Sequence, residues 1–225
     1  MDIAYVSGGV SAETLNAATT PAVATTGANL VVIFVTVNTV TAPIITDSSM
    51  NTWTARSSYT LNSTITIFTF ECLNPTTSAS HTFTATAAGQ YVNMAAHCWS
   101  GVKTSNAFYQ QKGSITGMPG LLTTLVDKSL IITAITEGNL TTGAAIDSGF
   151  TIISNYRGYT YYGSAVAYKI QTTAGDSDPS WTKTGGYFYC STQLSYDPPS
   201  GTDQPFMLRS GGVLGMPSGT GRRSW

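Results

Sequence analysis

Apolar and polar positions along the 225-residue chain repeat with the period of two of a pleated strand, and no helical period of useful length competes with it. Leu30-Val31-Val32-Ile33-Phe34-Val35-Thr36-Val37 is β-branched and apolar on both parities, which predicts a central strand covered on both sides. Between Ser80 and Ala87, Thr82, Thr84 and Thr86 take one face while Phe83, Ala85 and Ala87 take the other, as in a half-buried strand. From Tyr91 to Trp99, Val92, Met94, Ala96 and Cys98 share one side and Tyr91, Asn93, Ala95, His97 and Trp99 the other, so Cys98 is expected in a core. Between Ser63 and Cys72, Ile65 and Ile67 fall on one parity but Phe68 and Phe70 on the other. That phase change predicts a bulge or a strand that passes between sheets.

Further strands are predicted over 129–135, 150–154, 164–172 and 187–195, separated by Gly, Pro, Asp and Asn turn signals. The last of them sets Cys190 on an interior face with Phe188, Thr192 and Leu194; whether Cys98 and Cys190 are neighbours stays open. About eight to ten strands without helices predict an all-β fold, a β-sandwich of jelly-roll type ahead of a closed barrel. The sandwich is expected over 1–197. Beyond it, over 198–225, the alternation stops and Pro and Gly punctuate the chain. This segment still carries Phe206, Met207, Leu208, Val213, Leu214, Met216 and Trp225, more apolar side chains than a solvated tail tolerates. It reads as an extended C-terminal arm that packs either on a neighbouring subunit or on its own domain.

Composition narrows the function classes. Charged residues make up only 9% of the chain, against about a quarter in ordinary domains, and the formal charge is −1. No basic stripe is present to release counterions from a phosphate backbone, so nucleic acid is not an expected partner. A near-neutral, hydroxyl-rich surface suits a subunit held in an assembly. Met1-Asp2-Ile3-Ala4-Tyr5 has neither a basic n-region nor a continuous apolar h-region, and 30–37 is far too short to span a bilayer as a helix, so neither secretion nor membrane insertion is expected. Cys72, Cys98 and Cys190 are an odd set without CxxC spacing, read as buried thiols.

Candidate chemistry is sparse. There is no GxSxG elbow, Walker loop, GxGxxG or HExxH, and no enzyme or cofactor is expected. His97 and Cys98 are adjacent on a strand, so their side chains diverge and do not form a dyad. Asp176 and Asp178 supply too few carboxylates for calcium and read as a solvated turn. Asn62-Ser63-Thr64 and Asn139-Leu140-Thr141 match the glycosylation pattern without a signal to make it meaningful. One cluster reads as a binding surface: Tyr156, Arg157, Tyr159, Tyr161 and Tyr162 in a glycine-bounded loop, suited to a glycan or receptor, or to packing within an assembly.

Asn51-Thr52-Trp53-Thr54, Cys72-Leu73-Asn74-Pro75-Thr76-Thr77, His81-Thr82-Phe83-Thr84-Ala85, Trp99-Ser100-Gly101-Val102 and Ala167-Tyr168-Lys169-Ile170-Gln171 together resemble β-sandwich structural proteins of tailed-bacteriophage virions. These are fold and turn residues, so the resemblance speaks to architecture before role. It implies a non-enzymatic virion component: a capsid decoration or cement subunit, or alternatively a head- or tail-fibre module that recognises host glycan or receptor. The implied partners are phage capsid or other virion proteins and further copies of the chain, with a trimer as one arrangement.

Overall fold

The computed structural model describes residues 2–138, 143–147, 149–156, 161–183 and 185–199. Every regular element among them is a strand, and the strands form two halves. The first half contains β1 (Ala4–Val10), β2 (Thr14–Thr19), β3 (Leu30–Val37), β4 (Ile44–Asp47), β5 (Thr54–Ala55), β6 (Tyr59–Leu61), β7 (Ile65–Leu73) and β8 (Phe83–Ser100). Its main sheet runs β1-β8-β3-β7-β5. The second contains β9 (Phe108–Ser114), β10 (Leu122–Thr124), β11 (Ser129–Gly138), β12 (Ala145–Ile146), β13 (Thr151–Tyr156), β14 (Gly163–Gln171), β15 (Gly175–Ser177), β16 (Trp181–Thr182) and β17 (Tyr187–Tyr196). Its main sheet, read from the opposite edge, runs β9-β17-β11-β14-β13.

These two orders are the same order. In each half the first strand pairs with the last, the last with the third, and the third with the last-but-one strand of the main sheet, all antiparallel. The accessory strands follow suit. In the first half β2 and β4 both pair with the N-terminal part of β8. In the second, β10 pairs with β15 and β12 with β16, so two short strands stand where the first half has one long one. The chain is therefore a tandem pair of like-wound units.

The two main sheets stack face to face as a β-sandwich. Leu30, Val32, Phe34, Ile67, Ala95 and Trp99 from one meet Leu130, Ile132, Ala134, Val166, Cys190 and Leu194 from the other in a continuous core. Each fully buried Leu, Ile, Val or Phe side chain here stabilises the fold by about 1.5–3 kcal/mol. A second core lies on the far side of the first sheet, where Val31, Ile33, Val35, Phe68, Phe70, Phe83, Met94 and Cys98 pack under β2 and the start of β8. A smaller third one, with Ile135, Ala165, Ala167 and Trp181, backs the second sheet.

This layering explains β3, buried at every position, as its unbroken apolar run predicts. It also corrects the reading of β7. That strand pairs with β3 in continuous register, without a bulge. Its phase change arises because both faces are apolar: Ile67 enters the core between the sheets and Phe68 and Phe70 enter the core behind. The predicted strands at 80–87 and 91–99 are one 18-residue strand, β8. Its pairing with β2 breaks between Leu15 and Ala17, where Gly89 N–H donates to Asn16 Oδ1 at 2.7 Å. Cys98 and Cys190 are both buried but belong to different cores, on opposite sides of the first sheet. An all-β sandwich is thus observed; the strand orders do not establish a jelly roll. Of the arm expected over 198–225, residues 200–225 lie outside the described ones.

Candidate functional site

Polar side chains pin the two halves together. Ser164 Oγ donates to Asn93 Oδ1 at 2.6 Å while Asn93 Nδ2 donates to Ser11 O at 2.9 Å, so this buried amide serves both halves. His97, fully buried, lies between Tyr5 Oη at 3.1 Å and Ser154 Oγ at 3.0 Å. Burial pushes its pKa down to about 3, so it is neutral over the physiological range. Gly8 is required beside it, since a Cβ there would fall 2.0 Å from His97 Nδ1. On the opposite seam Tyr196 Oη donates to Glu71 Oε2 at 2.7 Å, Arg56 pairs with Glu71, and the Arg56 guanidinium lies 3.7 Å over Phe108.

One constellation that spacing along the sequence did not suggest has the connectivity of a catalytic triad. His81 Nε2 lies 2.8 Å from Asp47 Oδ1, and His81 Nδ1 lies 3.1 Å from Thr25 Oγ1. It lies within a buried hydrogen-bond network: Thr25 and His81 are fully buried, and the Thr25 hydroxyl donates to Ser78 O at 3.1 Å. Asp47 further accepts from Ser49 N–H, Asn51 N–H and Trp53 Nε1. Burial raises its pKa, but the His81, Ser49 and Trp53 hydrogen bonds outweigh that and hold it below the usual carboxylate range. The cysteines are likewise poor nucleophiles: burial pushes the Cys98 thiol up to about 12 and the Cys72 thiol to about 11. Among the described residues no three His, Cys, Asp or Glu side chains gather in a way that could hold a metal ion. Asp176 instead accepts from Thr123 Oγ1 at 2.6 Å across the β10–β15 pair.

Two surfaces remain. The first is an apolar band beside the outer edge of the second sheet. Of the fourteen large exposed hydrophobic side chains among the described residues, six fall between 109 and 126: Tyr109, Ile115, Met118, Leu121, Leu125 and Val126. The segment is tied to β9 by Ser114 Oγ donating to Met118 O at 2.6 Å and by Gln110 Nε2 donating to Thr123 O. β9 is itself an edge strand. The C-terminal end of β17 arrives here too: Asp197 N–H donates to Ala107 O at 2.8 Å, and Lys103 N–H to Asp197 O at 3.0 Å. The segment with Phe206, Met207, Leu208, Val213, Leu214, Met216 and Trp225 therefore follows from a point beside the band, although those seven residues are outside the described ones.

The second surface is built of tyrosines. Of the loop residues singled out in the sequence, Tyr156 ends β13, Arg157 and Tyr159 are outside the described residues, and Tyr161 and Tyr162 are placed side by side just before β14. The carboxylate of Glu13 fixes them, accepting Tyr162 N–H at 2.7 Å and Tyr161 N–H at 3.1 Å. The structure adds three tyrosines that the loop could not reveal. Ring centroids are 4.7 Å apart for Tyr91 and Tyr161, 6.1 Å for Tyr161 and Tyr162, 6.1 Å for Tyr162 and Tyr189, and 6.4 Å for Tyr189 and Tyr187.

Comparison with known protein families, with curated proteins and with solved structures finds no match.

Proposed function

We propose that the protein is a non-enzymatic structural subunit of a tailed-bacteriophage virion, a capsid decoration or cement protein that clamps neighbouring capsid proteins. The observation that carries this reading is the apolar band between Tyr109 and Val126, set along an edge strand next to the point where an apolar C-terminal segment begins. Exposed apolar side chains concentrated on one edge mark an interaction surface. An unpaired strand edge offers main-chain donors and acceptors to a partner's extended segment. Copies of the chain would meet through the same edge, as a homo-oligomer on the shell. The resemblance of the Trp53, Cys72–Thr77, His81–Ala85 and Trp99–Val102 segments to phage β-sandwich proteins supports the same class.

Clamping of this kind makes and breaks no covalent bond. Interface buried between adjacent shell subunits stabilises the assembled state by mass action. The test is co-sedimentation of the full-length protein, and of a version ending at Ser200, with purified capsids lacking the protein. Stoichiometric binding of the full chain and its loss on truncation are expected. Failure of the full chain to bind capsids over a wide concentration range contradicts the proposal.

A further inference from the structure

The tyrosine row is not consumed by the assembly surface. Its residues come from β8, from just before β14 and from β17, whereas the apolar band belongs to β9, β10 and the segments around them. We propose that the row is a binding site for a neutral oligosaccharide, with the rings of Tyr91 and Tyr161 as its main platform.

Three observations point to that ligand class. Tyr91, Tyr161 and Tyr187 keep 37%, 49% and 62% of their surfaces exposed, so aromatic surface is presented to solvent. An aromatic face is electron-rich at its centre and attracts the weakly positive C–H groups that line one face of a pyranose, while the phenol adds a hydroxyl at low entropic cost. Next to the Tyr91–Tyr161 pair is a cleft of about 240 Å³ lined also by Asn38, Gly89, Gln90 and Tyr162. That is below the roughly 300–1,000 Å³ of pockets that enclose a drug-sized molecule. It therefore suits one ring of a chain, the remainder lying over the open tyrosines. The Asn38 and Gln90 amides supply paired donors and acceptors of the kind that read vicinal hydroxyls.

Charge argues for a neutral sugar. The Glu13 carboxylate accepts the Tyr161 and Tyr162 N–H groups. At the far end Lys183 lies 5.9 Å over the Tyr187 ring with its ammonium donating to the Gly185 and Gly186 carbonyls. Neither lines the cleft, and among the described residues its lining carries no charged side chain. The platform is also held in place from beneath. Tyr189 lies so close over β11 that a Cβ on Gly138 would fall 2.4 Å from its ring, and only glycine admits that approach.

The experiment applies the full-length protein to a printed array of neutral hexose and N-acetylhexosamine oligosaccharides alongside sialylated and uronic ones. Titration calorimetry follows on the strongest neutral binder. Binding confined to neutral oligosaccharides is expected, weakened at least tenfold by Tyr161→Ala and by Tyr91→Ala. Tyr109→Ala, on the apolar band, should bind as the wild type does, and thermal melting of each variant separates a lost platform from a lost fold. Tyr91→Phe and Tyr161→Phe, which keep the rings and the fold, should retain most of the affinity. Binding only to acidic glycans, binding unmoved by both alanine variants, or capture of a host surface protein with no glycan binding would each overturn the proposal. The outcome is independent of capsid binding, because the two surfaces share no residue.

Discussion

Tyr196, the last residue of β17, donates its hydroxyl at 2.7 Å to Glu71 in β7, and so joins the end of the second half to the middle of the first. Burial first, and then the Glu71 carboxylate, push the phenol far above its ordinary pKa, so it is a permanent donor. A hydrogen bond to a charged acceptor contributes about 1.5–3 kcal/mol. Tyr196→Phe should lower stability by that amount in urea unfolding while both halves still unfold in one transition. A loss of under roughly 0.5 kcal/mol, the usual scale of a neutral surface change, would show that the seam does not depend on this contact.

The buried imidazole of His97 gives a pH dependence of defined sign. Its folded pKa of about 3 lies below the ordinary value of 6.5, so between those limits the unfolded chain binds the extra proton. Its contribution is fully present above pH 6.5 and is lost as pH falls toward 3, with a slope approaching about 1.4 kcal/mol per pH unit. His97→Gln should be less stable at pH 7 yet flatten the acid limb of a stability-versus-pH curve between pH 6 and 4. An unchanged acid limb would assign the loss to carboxylates instead.

Gly8 lies against the same histidine. Gly8→Ala would place its Cβ 2.0 Å from Nδ1, forcing either the ring or β1 to move. Overpacking of this kind costs about 1–3 kcal/mol, and the expected signature is a lowered melting temperature together with loss of the Tyr5–His97 contact in NMR. Combined with His97→Ala the cost should shrink, because the two ring contacts at 2.0 and 2.7 Å are gone and the Tyr5 hydroxyl, 2.6 Å from the same Cβ, can turn into the vacated space.

Much of this architecture was legible before the structure. A continuous apolar run marked β3 and strict alternation marked the start of β8, because burial on one or both faces is written directly into side-chain parity, while turn signals bounded β11. The tandem halves were not legible. Their likeness lies in strand order, and the second half breaks into β15 and β16 what the first keeps as the beginning of β8. β7 misled for a related reason: one sheet buried on both sides mimics a change of face. Of the tyrosine row only Tyr161 and Tyr162 could be named with their neighbours in sequence. Tyr91, Tyr187 and Tyr189 reach it from β8 and β17, and no local pattern announces a row assembled from distant strands.

The band predicts a separation of stability from assembly. Leu121 and Leu125 expose 51% and 67% of their surfaces, so Leu121→Asp with Leu125→Asp should change unfolding free energy by no more than roughly 0.5 kcal/mol per site. The same pair should abolish co-sedimentation with capsids, since a charge placed in a desolvated apolar contact has no partner to offset its burial. Retained binding by a folded double variant would exclude the band as the contact surface.

The proposal that the chain is a virion component is open to quantitative mass spectrometry of gradient-purified particles. Peptides of this protein are expected in a fixed, many-copy ratio to the major capsid protein, retained through salt and density washes. Particles that lack it, with the chain found only in the soluble fraction of infected cells, would overturn that proposal.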